Sequence, residues 1–275
     1  MLKSILITGV SSGIGYDASR FFLSRGWRVF GSVRNPSDAA DLESPLFHKL
    51  VFDVTDSEAI ARAADQVKIT LNDDIIDVLV NNAGIAVFGP LMHLPISEFQ
   101  RQLEVNLTGV LRVTQAFLPM MGTLQNSERP GRIINIGSVS GLFTTPMLGP
   151  YCVSKYGLES MSDAFRRELQ IYKIPVSIIE PASTKSDIWA KAKAADSHTS
   201  GTIYERVEVQ KTAMIEKTQR KAIETERISK CIWRIAKAKS PRARYLITRN
   251  NIAFKIVTWL PSRWIDYILK KTLMK

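Results

Sequence analysis

Cysteine and histidine are scarce in this 275-residue sequence, and their scarcity removes two kinds of protein at once. Two cysteines, Cys152 and Cys231, cannot build a disulfide framework, and their spacing fits no metal motif. His48, His93 and His198 stand far apart in the chain, so no metal site is expected. Thiol usage of this kind fits a reducing compartment, and a cytoplasmic location is the default expectation. Long apolar runs are also missing: none reaches the roughly 18 uninterrupted residues that a membrane span requires. A secretory signal is not expected, because Met1-Leu2-Lys3 leads through Ile5-Leu6-Ile7 into a glycine loop and not into a small-residue cleavage site. Internal repeats and low-complexity segments are lacking too. What remains, at 45% hydrophobic and 23% charged residues, is the composition of an ordinary soluble globular chain. A chain of this length buries about 70–75% of its unfolded surface, enough for a sizeable core.

Acidic residues run short in one region. Residues 1–184 carry 16 Lys and Arg against 18 Asp and Glu, whereas residues 185–275 carry 21 against 8, so the whole net charge of +11 arises in the last third. Two readings stay open: a solvated basic surface, or attraction to an anionic partner such as a membrane surface or an acidic substrate. No nucleic-acid partner is expected, since no recognition module accompanies the charge.

Short branched-rich runs alternate with longer amphipathic ones. Residues 2–7, 28–33, 49–52, 76–80, 132–136 and 176–179 read as strands buried on both faces, and 244–248 as a last strand. Helices are expected near 13–24, 57–71, 97–121, 149–172, 203–221 and 226–238. This alternation predicts an α/β fold, a doubly wound parallel sheet with helices on both faces, in a single domain over 1–275. Residues 183–225 are too long for a plain connection and are expected to form a substrate-binding lid. Residues 250–275 form a basic amphipathic tail, interrupted by Pro261, with Trp259, Trp264 and Tyr267 among lysines and arginines. Those side chains suit packing on the domain or a neighbouring subunit. They equally suit an interfacial helix whose Lys270, Lys271 and Lys275 attract anionic lipid.

The first strand runs into Thr8-Gly9-Val10-Ser11-Ser12-Gly13-Ile14-Gly15, which opens the first helix. Glycines at this junction allow a tight turn, close approach of backbone to a pyrophosphate, and packing of helix on sheet. The phosphates then meet free N–H groups at the positive end of the helix. The second strand ends at Val33-Arg34, where an NAD site usually offers a carboxylate; an arginine there favours a 2′-phosphate, so NADP(H) is preferred to NAD(H). Asp53-Val54 and Asn81-Asn82-Ala83-Gly84 end the third and fourth strands, at the carboxyl edge where such sheets bind ligands. Tyr151 and Lys155 stand four apart and therefore share a helix face, with Ser138 thirteen positions upstream of the tyrosine. A phenol of pKa roughly 10 is a poor base near neutrality, and an ammonium beside it is expected to lower that value.

Taken in order and spacing, Thr8–Gly15, Asp53-Val54, Asn81–Gly84, Asn106, Ser138, Tyr151-x-x-x-Lys155 and the Pro181 segment resemble the short-chain dehydrogenase/reductase family, in its compact single-domain branch. The resemblance covers residues 2 to about 188 and weakens toward residue 250. It implies a sheet of about seven strands, a nicotinamide cofactor and carbonyl/alcohol interconversion. Tyr151 is implied as the proton-exchanging group, with Ser138 stabilising charge on the same substrate oxygen and Lys155 also binding the nicotinamide ribose. Asn106 is implied to position Lys155 through an ordered water. Gly9, Ser11, Ser12, Gly13, Ile14, Gly15, Arg34, Asp53, Val54, Asn82, Ala83, Gly84, Tyr151, Lys155, Pro181, Ser183, Thr184 and Ser186 are the candidate cofactor contacts. Two departures stand out. Ala182 replaces a glycine after Pro181, where a positive φ would be costly, and Gly137 replaces a common serine, which is expected to leave room in the site. The branch includes steroid- and retinol-type enzymes, so a lipophilic alcohol or carbonyl is the expected substrate, and a homodimer or homotetramer is a plausible assembly. A catalytically silent dinucleotide-binding scaffold and a nucleotide-sugar epimerase are the competing readings.

Overall fold

A computed structural model describes residues 2–72, 74–123, 130–186, 188–194, 196–206, 215–216, 219–220 and 222–273. Seven parallel strands make one sheet: β1 (Ser4–Ile7), β2 (Arg28–Val33), β3 (Phe47–Val51), β4 (Val78–Asn81), β5 (Arg132–Ile136), β6 (Val176–Pro181) and β7 (Arg244–Ile247). Their order across the sheet is β3-β2-β1-β4-β5-β6-β7. The chain therefore works outward from β1 in one direction and then from β4 in the other. Connections from these neighbouring strands leave toward opposite faces, which opens a crevice beyond their carboxyl ends.

β1 shows why the sheet is buried on both sides. Ile5 and Ile7 enter one core with Val10, Phe22, Trp27 and Ile232, while Leu6 enters the other with Leu50, Val113, Phe117 and Ile133. Successive side chains of a strand point to opposite faces, so an unbroken apolar run needs a helical layer on each. On the first face α1 (Gly13–Leu23) packs against α7 (Thr225–Lys237) through Phe22, Trp27 and Trp233, whose rings meet edge-on at 5.1–5.8 Å. On the second lie α2 (Ser57–Leu71), α3 (Ile96–Leu103), α4 (Gly109–Phe117) and α5 (Gly149–Glu168). Asp56 caps α2 by accepting from the Ala59 N–H at 2.9 Å, and Asn72 ends it in the left-handed region.

The helix expected over 97–121 spans that region with a break. Glu104–Thr108 is a π-helical turn between α3 and α4, and a 3-10 turn at Leu118–Met121 closes the run. After β6 come α6 (Ile188–Ala194), then α7 and β7, and the tail folds as α8 (Asn251–Trp259) and α9 (Ser262–Leu273) about Pro261. Ile252, Ile256, Trp259, Trp264 and Tyr267 are exposed on α8 and α9. Most of the helix expected at 203–221, and Lys275, lie outside the described residues. Among the described residues, no helix is long and apolar enough to cross a membrane.

Candidate active site

The ends of β1 to β6 converge on one cavity of about 750 Å³. Loops from neighbouring strands are tied together at its base. The Thr8 hydroxyl accepts from the Asn82 and Ala83 N–H groups at 2.9 and 3.0 Å, and the Asn82 amide donates to the Thr8 and Gly9 carbonyls at 2.8 and 3.0 Å. Asn82 is thus a clamp between the β1 and β4 loops, a structural duty that its place at a strand end did not announce. The Gly9 N–H is held by the Ser32 hydroxyl at 3.0 Å. Gly9 and Gly13 take φ of +70° and +59°, and a Cβ on Gly13 would come within 3.0 Å of Ser186 Cβ. Both therefore need glycine, one for its turn and the other for its turn and the segment lying over it.

Gly9, Ser11, Ser12, Gly13, Ile14, Arg34, Asp53, Val54, Asn82, Ala83, Gly84, Pro181, Ser183, Thr184 and Ser186 all line this cavity, as do Asn106, Ser138, Tyr151 and Lys155. Gly15 lies one step below the lining, buried in α1. Arg34 is exposed at the rim, and Asp53 turns its carboxylate back onto the Thr55 N–H and hydroxyl at 2.9 and 2.8 Å. Ala182 is not among the residues of positive φ, so replacing the usual glycine there brings no left-handed strain. Gly137 does not open the site. A Cβ there would meet Ile178 Cδ1 at 2.9 Å and the Ile179 carbonyl oxygen at 3.0 Å, so the glycine serves close packing of β5 on β6.

The four candidate catalytic residues come from three elements. Ser138 follows β5 and accepts from the Ser140 N–H at 3.0 Å, which fixes the start of a 3-10 turn. Tyr151 and Lys155 lie on the first turns of α5, a helix opened by Pro150. The Lys155 ammonium donates to the Ile136 carbonyl at 2.8 Å and lies 5.7 Å from the Tyr151 ring centre. Asn106 sits in the π-helical turn. Its Oδ1 accepts from the Ile85 N–H at 2.8 Å, while its Nδ2 donates to the Ile85 carbonyl at 3.0 Å and to Ser154 Oγ at 3.1 Å. A π-turn costs regular hydrogen bonding and tends to mark functional positions; here it turns a buried amide onto the β4 loop and onto α5 between Tyr151 and Lys155.

Burial sets the titration of this group. It pushes the Tyr151 phenol up to about 12, against the opposing effect of the neighbouring Ser138 hydroxyl. It also pushes the Lys155 ammonium down to about 8, with the Glu159 carboxylate pulling the other way. The expected lowering of Tyr151 by Lys155 is therefore not what the structure gives. Each side chain is desolvated in its charged form, and that burial is the largest influence on both. A neutral phenol in such a place is a proton donor to an incoming oxygen before it is a base.

Several contributors were invisible in the sequence. The Trp189 ring meets Tyr151 at 6.0 Å and 63°, and Phe88, Ile85, Ile188, Ala192 and Ile215 add apolar wall. Just before Tyr151, Leu148 lines the cavity, while Met147 packs on Phe88 and Tyr204 with a φ of +67°. Cys152 is a buried thiol pushed up by desolvation, as expected of a packed cysteine. No group of His, Cys, Asp and Glu able to hold a metal occurs among the described residues.

Comparison with known proteins places this geometry in a lineage. The short chain dehydrogenase family matches residues 3–197. An NADPH-dependent 3-dehydrocapnine reductase of Ornithobacterium rhinotracheale is 38% identical over 278 residues, covering 100% of this chain and 98% of that protein. Human retinol dehydrogenase 5 is 32% identical over 292 residues, covering 98% and 89%. A short-chain dehydrogenase from Streptomyces avermitilis shares the fold with a TM-score of 0.79 at 23% identity, over 99% of this chain and 97% of that one. The chain belongs to the short-chain dehydrogenase/reductase family and is one of its oxidoreductases acting on CH–OH groups.

Proposed function

We propose that this protein is an NADP(H)-dependent reductase that interconverts a carbonyl and an alcohol on a lipophilic substrate. The observation that carries the reading is the meeting of Ser138, Tyr151 and Lys155 in the same cavity as the glycine loop of β1. The residues present fit a dinucleotide: Ser11, Ser12 and Gly13 line the cavity at the N-terminus of α1, whose first turn contains no acidic residue. Gly9, Ser11, Ser12, Gly13 and Ile14 would hold its pyrophosphate. Arg34 would meet a 2′-phosphate, Asp53 and Val54 the adenine, Ala83 and Gly84 the adjoining ribose, and Pro181, Ser183, Thr184 and Ser186 the carboxamide end. The Ornithobacterium relative is NADPH-dependent, which agrees with the arginine at position 34. When bound, the nicotinamide supplies or takes the hydride.

The chain's own work is on the proton and the charge. Tyr151 Oη, neutral across the physiological range, donates its proton to the substrate oxygen as that oxygen gains negative charge. Ser138 Oγ donates a hydrogen bond to the same oxygen and stabilises the charge before transfer is complete. Lys155 supplies a cation beside the phenol and would hold the ribose hydroxyls of the cofactor. Asn106 locks Ile85 to α5, keeping the wall of the site and the Tyr151–Lys155 turn in register.

The lipophilic choice rests on Phe88, Leu148, Trp189, Ala192 and Ile215 in the cavity wall, Trp189 being in ring contact with Tyr151. α6 and Ile215 belong to the segment 183–225, which we read as a lid that closes apolar wall over the substrate. A reductase of 3-dehydrocapnine and a retinol dehydrogenase among the relatives fit that preference. The tail helices α8 and α9, with exposed Trp259, Trp264 and Tyr267 among cations, fit peripheral contact with an anionic membrane from which such a substrate is drawn. The deciding test is a panel of lipophilic ketones, aldehydes and alcohols with NADPH and NADH, followed by absorbance. Tyr151→Phe is expected to lower turnover at least about a hundredfold while cofactor binding persists. Retained turnover in that variant would refute the mechanism.

A further inference from the structure

Glu159 lies one helical turn beyond Lys155 on α5, and it does not face solvent. It is 8% exposed and stands beside Glu180, the penultimate residue of β6, which is 3% exposed. Arg244, which opens β7, reaches both: its Nε is 3.0 Å from Glu159 Oε2 and 3.7 Å from Glu180 Oε1, and its Nη2 is 3.2 Å from Asp163 Oδ1. One oxygen of each glutamate, Oε1 in both cases, is buried without a hydrogen-bond donor. A carboxylate is an acceptor only, so two buried carboxylates with undonated oxygens repel each other and leave both oxygens unsatisfied. A single proton on one of them turns the repulsion into a hydrogen bond.

The surrounding charges agree. Burial and the neighbouring Glu159 charge push Glu180 up to about 7, Arg244 and the Lys255 ammonium of α8 pulling the other way. Glu159 is raised by burial and by Asp163, against Arg244. Asp163 is itself shared with Arg166 at 3.2 Å and Arg167 at 3.5 Å, so Arg244 is the guanidinium that must serve both glutamates. On the other side, the Glu159 charge works against the burial that would strip Lys155 of its proton.

We propose that Glu159 and Glu180 share one proton and, anchored by Arg244, form a positioning unit that sets the charge of Lys155. When the shared proton leaves Glu180 for solvent, two carboxylates remain beside α5, and their added negative charge raises the affinity of Lys155 for its own proton. The unit thus keeps an ammonium next to Tyr151 in a place whose burial favours the neutral amine. This rests on the role given above to Lys155 but not on any particular substrate.

The test follows the lysine directly. The protein carrying 13Cε-labelled lysine is titrated by NMR, with Lys155→Arg identifying the resonance. In the unaltered protein Lys155 titrates near 8, and its resonance shows a second inflection near 7 as the glutamate pair ionises. Glu159→Gln, which keeps the shape and removes the charge, moves the lysine titration down by about half a unit or more. Glu180→Gln, whose amide donates as the protonated acid would, removes the inflection near 7. A Lys155 titration unmoved in folded Glu159→Gln, or an inflection near 7 that persists in Glu180→Gln, overturns the proposal. Should one variant fail to fold, the other decides alone. Failure of the whole carbonyl panel to turn over would sink the reductase reading and leave this titration unchanged, so the two failures are distinguishable.

Discussion

Replacing Lys155 by methionine separates what this residue costs the fold from what it does for the site. In the folded protein its ammonium is pushed from an ordinary 10.5 down to about 8, which corresponds to about 3 kcal/mol of destabilisation while the side chain is charged in both states. A lowered lysine pKa means that the unfolded chain binds the proton more tightly. The cost is therefore fully present below pH 8, shrinks as pH rises from 8 to 10.5, and is gone above. Methionine escapes it at every pH. The change also deletes the 2.8 Å hydrogen bond to the Ile136 carbonyl and leaves that oxygen buried, at about 1–3 kcal/mol. That second effect does not depend on pH and cancels when two pH values are compared. Urea denaturation of both proteins at pH 7 and at pH 10.5 is expected to show the variant gaining at pH 7, relative to its standing at pH 10.5, by about 3 kcal/mol. Turnover falls at the same time, the usual exchange of stability for a functional buried charge. A stability difference that is the same at both pH values would refute the account of Lys155 as a desolvated ammonium.

Cofactor choice is tested at the rim of the cavity. Arg34→Asp is expected to move the ratio of NADPH to NADH efficiency toward NADH by on the order of tenfold or more, since a hydrogen-bonded charge pair becomes a repulsion; an unchanged ratio shows that Arg34 is not the selector. Membrane contact is tested by sedimentation with vesicles containing anionic lipid. Binding is expected at low salt and to weaken as salt rises, and it should fall on replacing Trp259, a residue 89% exposed, by alanine; a protein that stays in the supernatant at low salt removes the idea.

Much of the site was legible because its chemistry is local in sequence. Glycines at 9, 13 and 15 after a short apolar strand can mean a phosphate-binding turn, and residues 151 and 155 share a helix face by helical geometry alone. Strand positions were also legible, to within a few residues, because burial on both faces demands continuous branched apolar runs. The π-turn at 104–108 was not, since a single extra residue in a helix is set by the packing around it and carries no local sequence signal of its own. Nor was the direction of the Tyr151 shift, which is set first by how much water the fold removes from the phenol.

The scarcity of cysteine and histidine, the uneven charge, the strand–helix alternation and the Tyr-Lys spacing were all decided in the chain itself, where each follows from identity and separation along the backbone. Tertiary structure alone brought Glu159, Glu180 and Arg244 together across 85 positions, set Trp189 against Tyr151, and turned Asn82 into a clamp on Thr8 and Gly9. Contacts of that kind depend on which strands lie side by side, and that order is settled by packing between elements that sequence spacing does not measure.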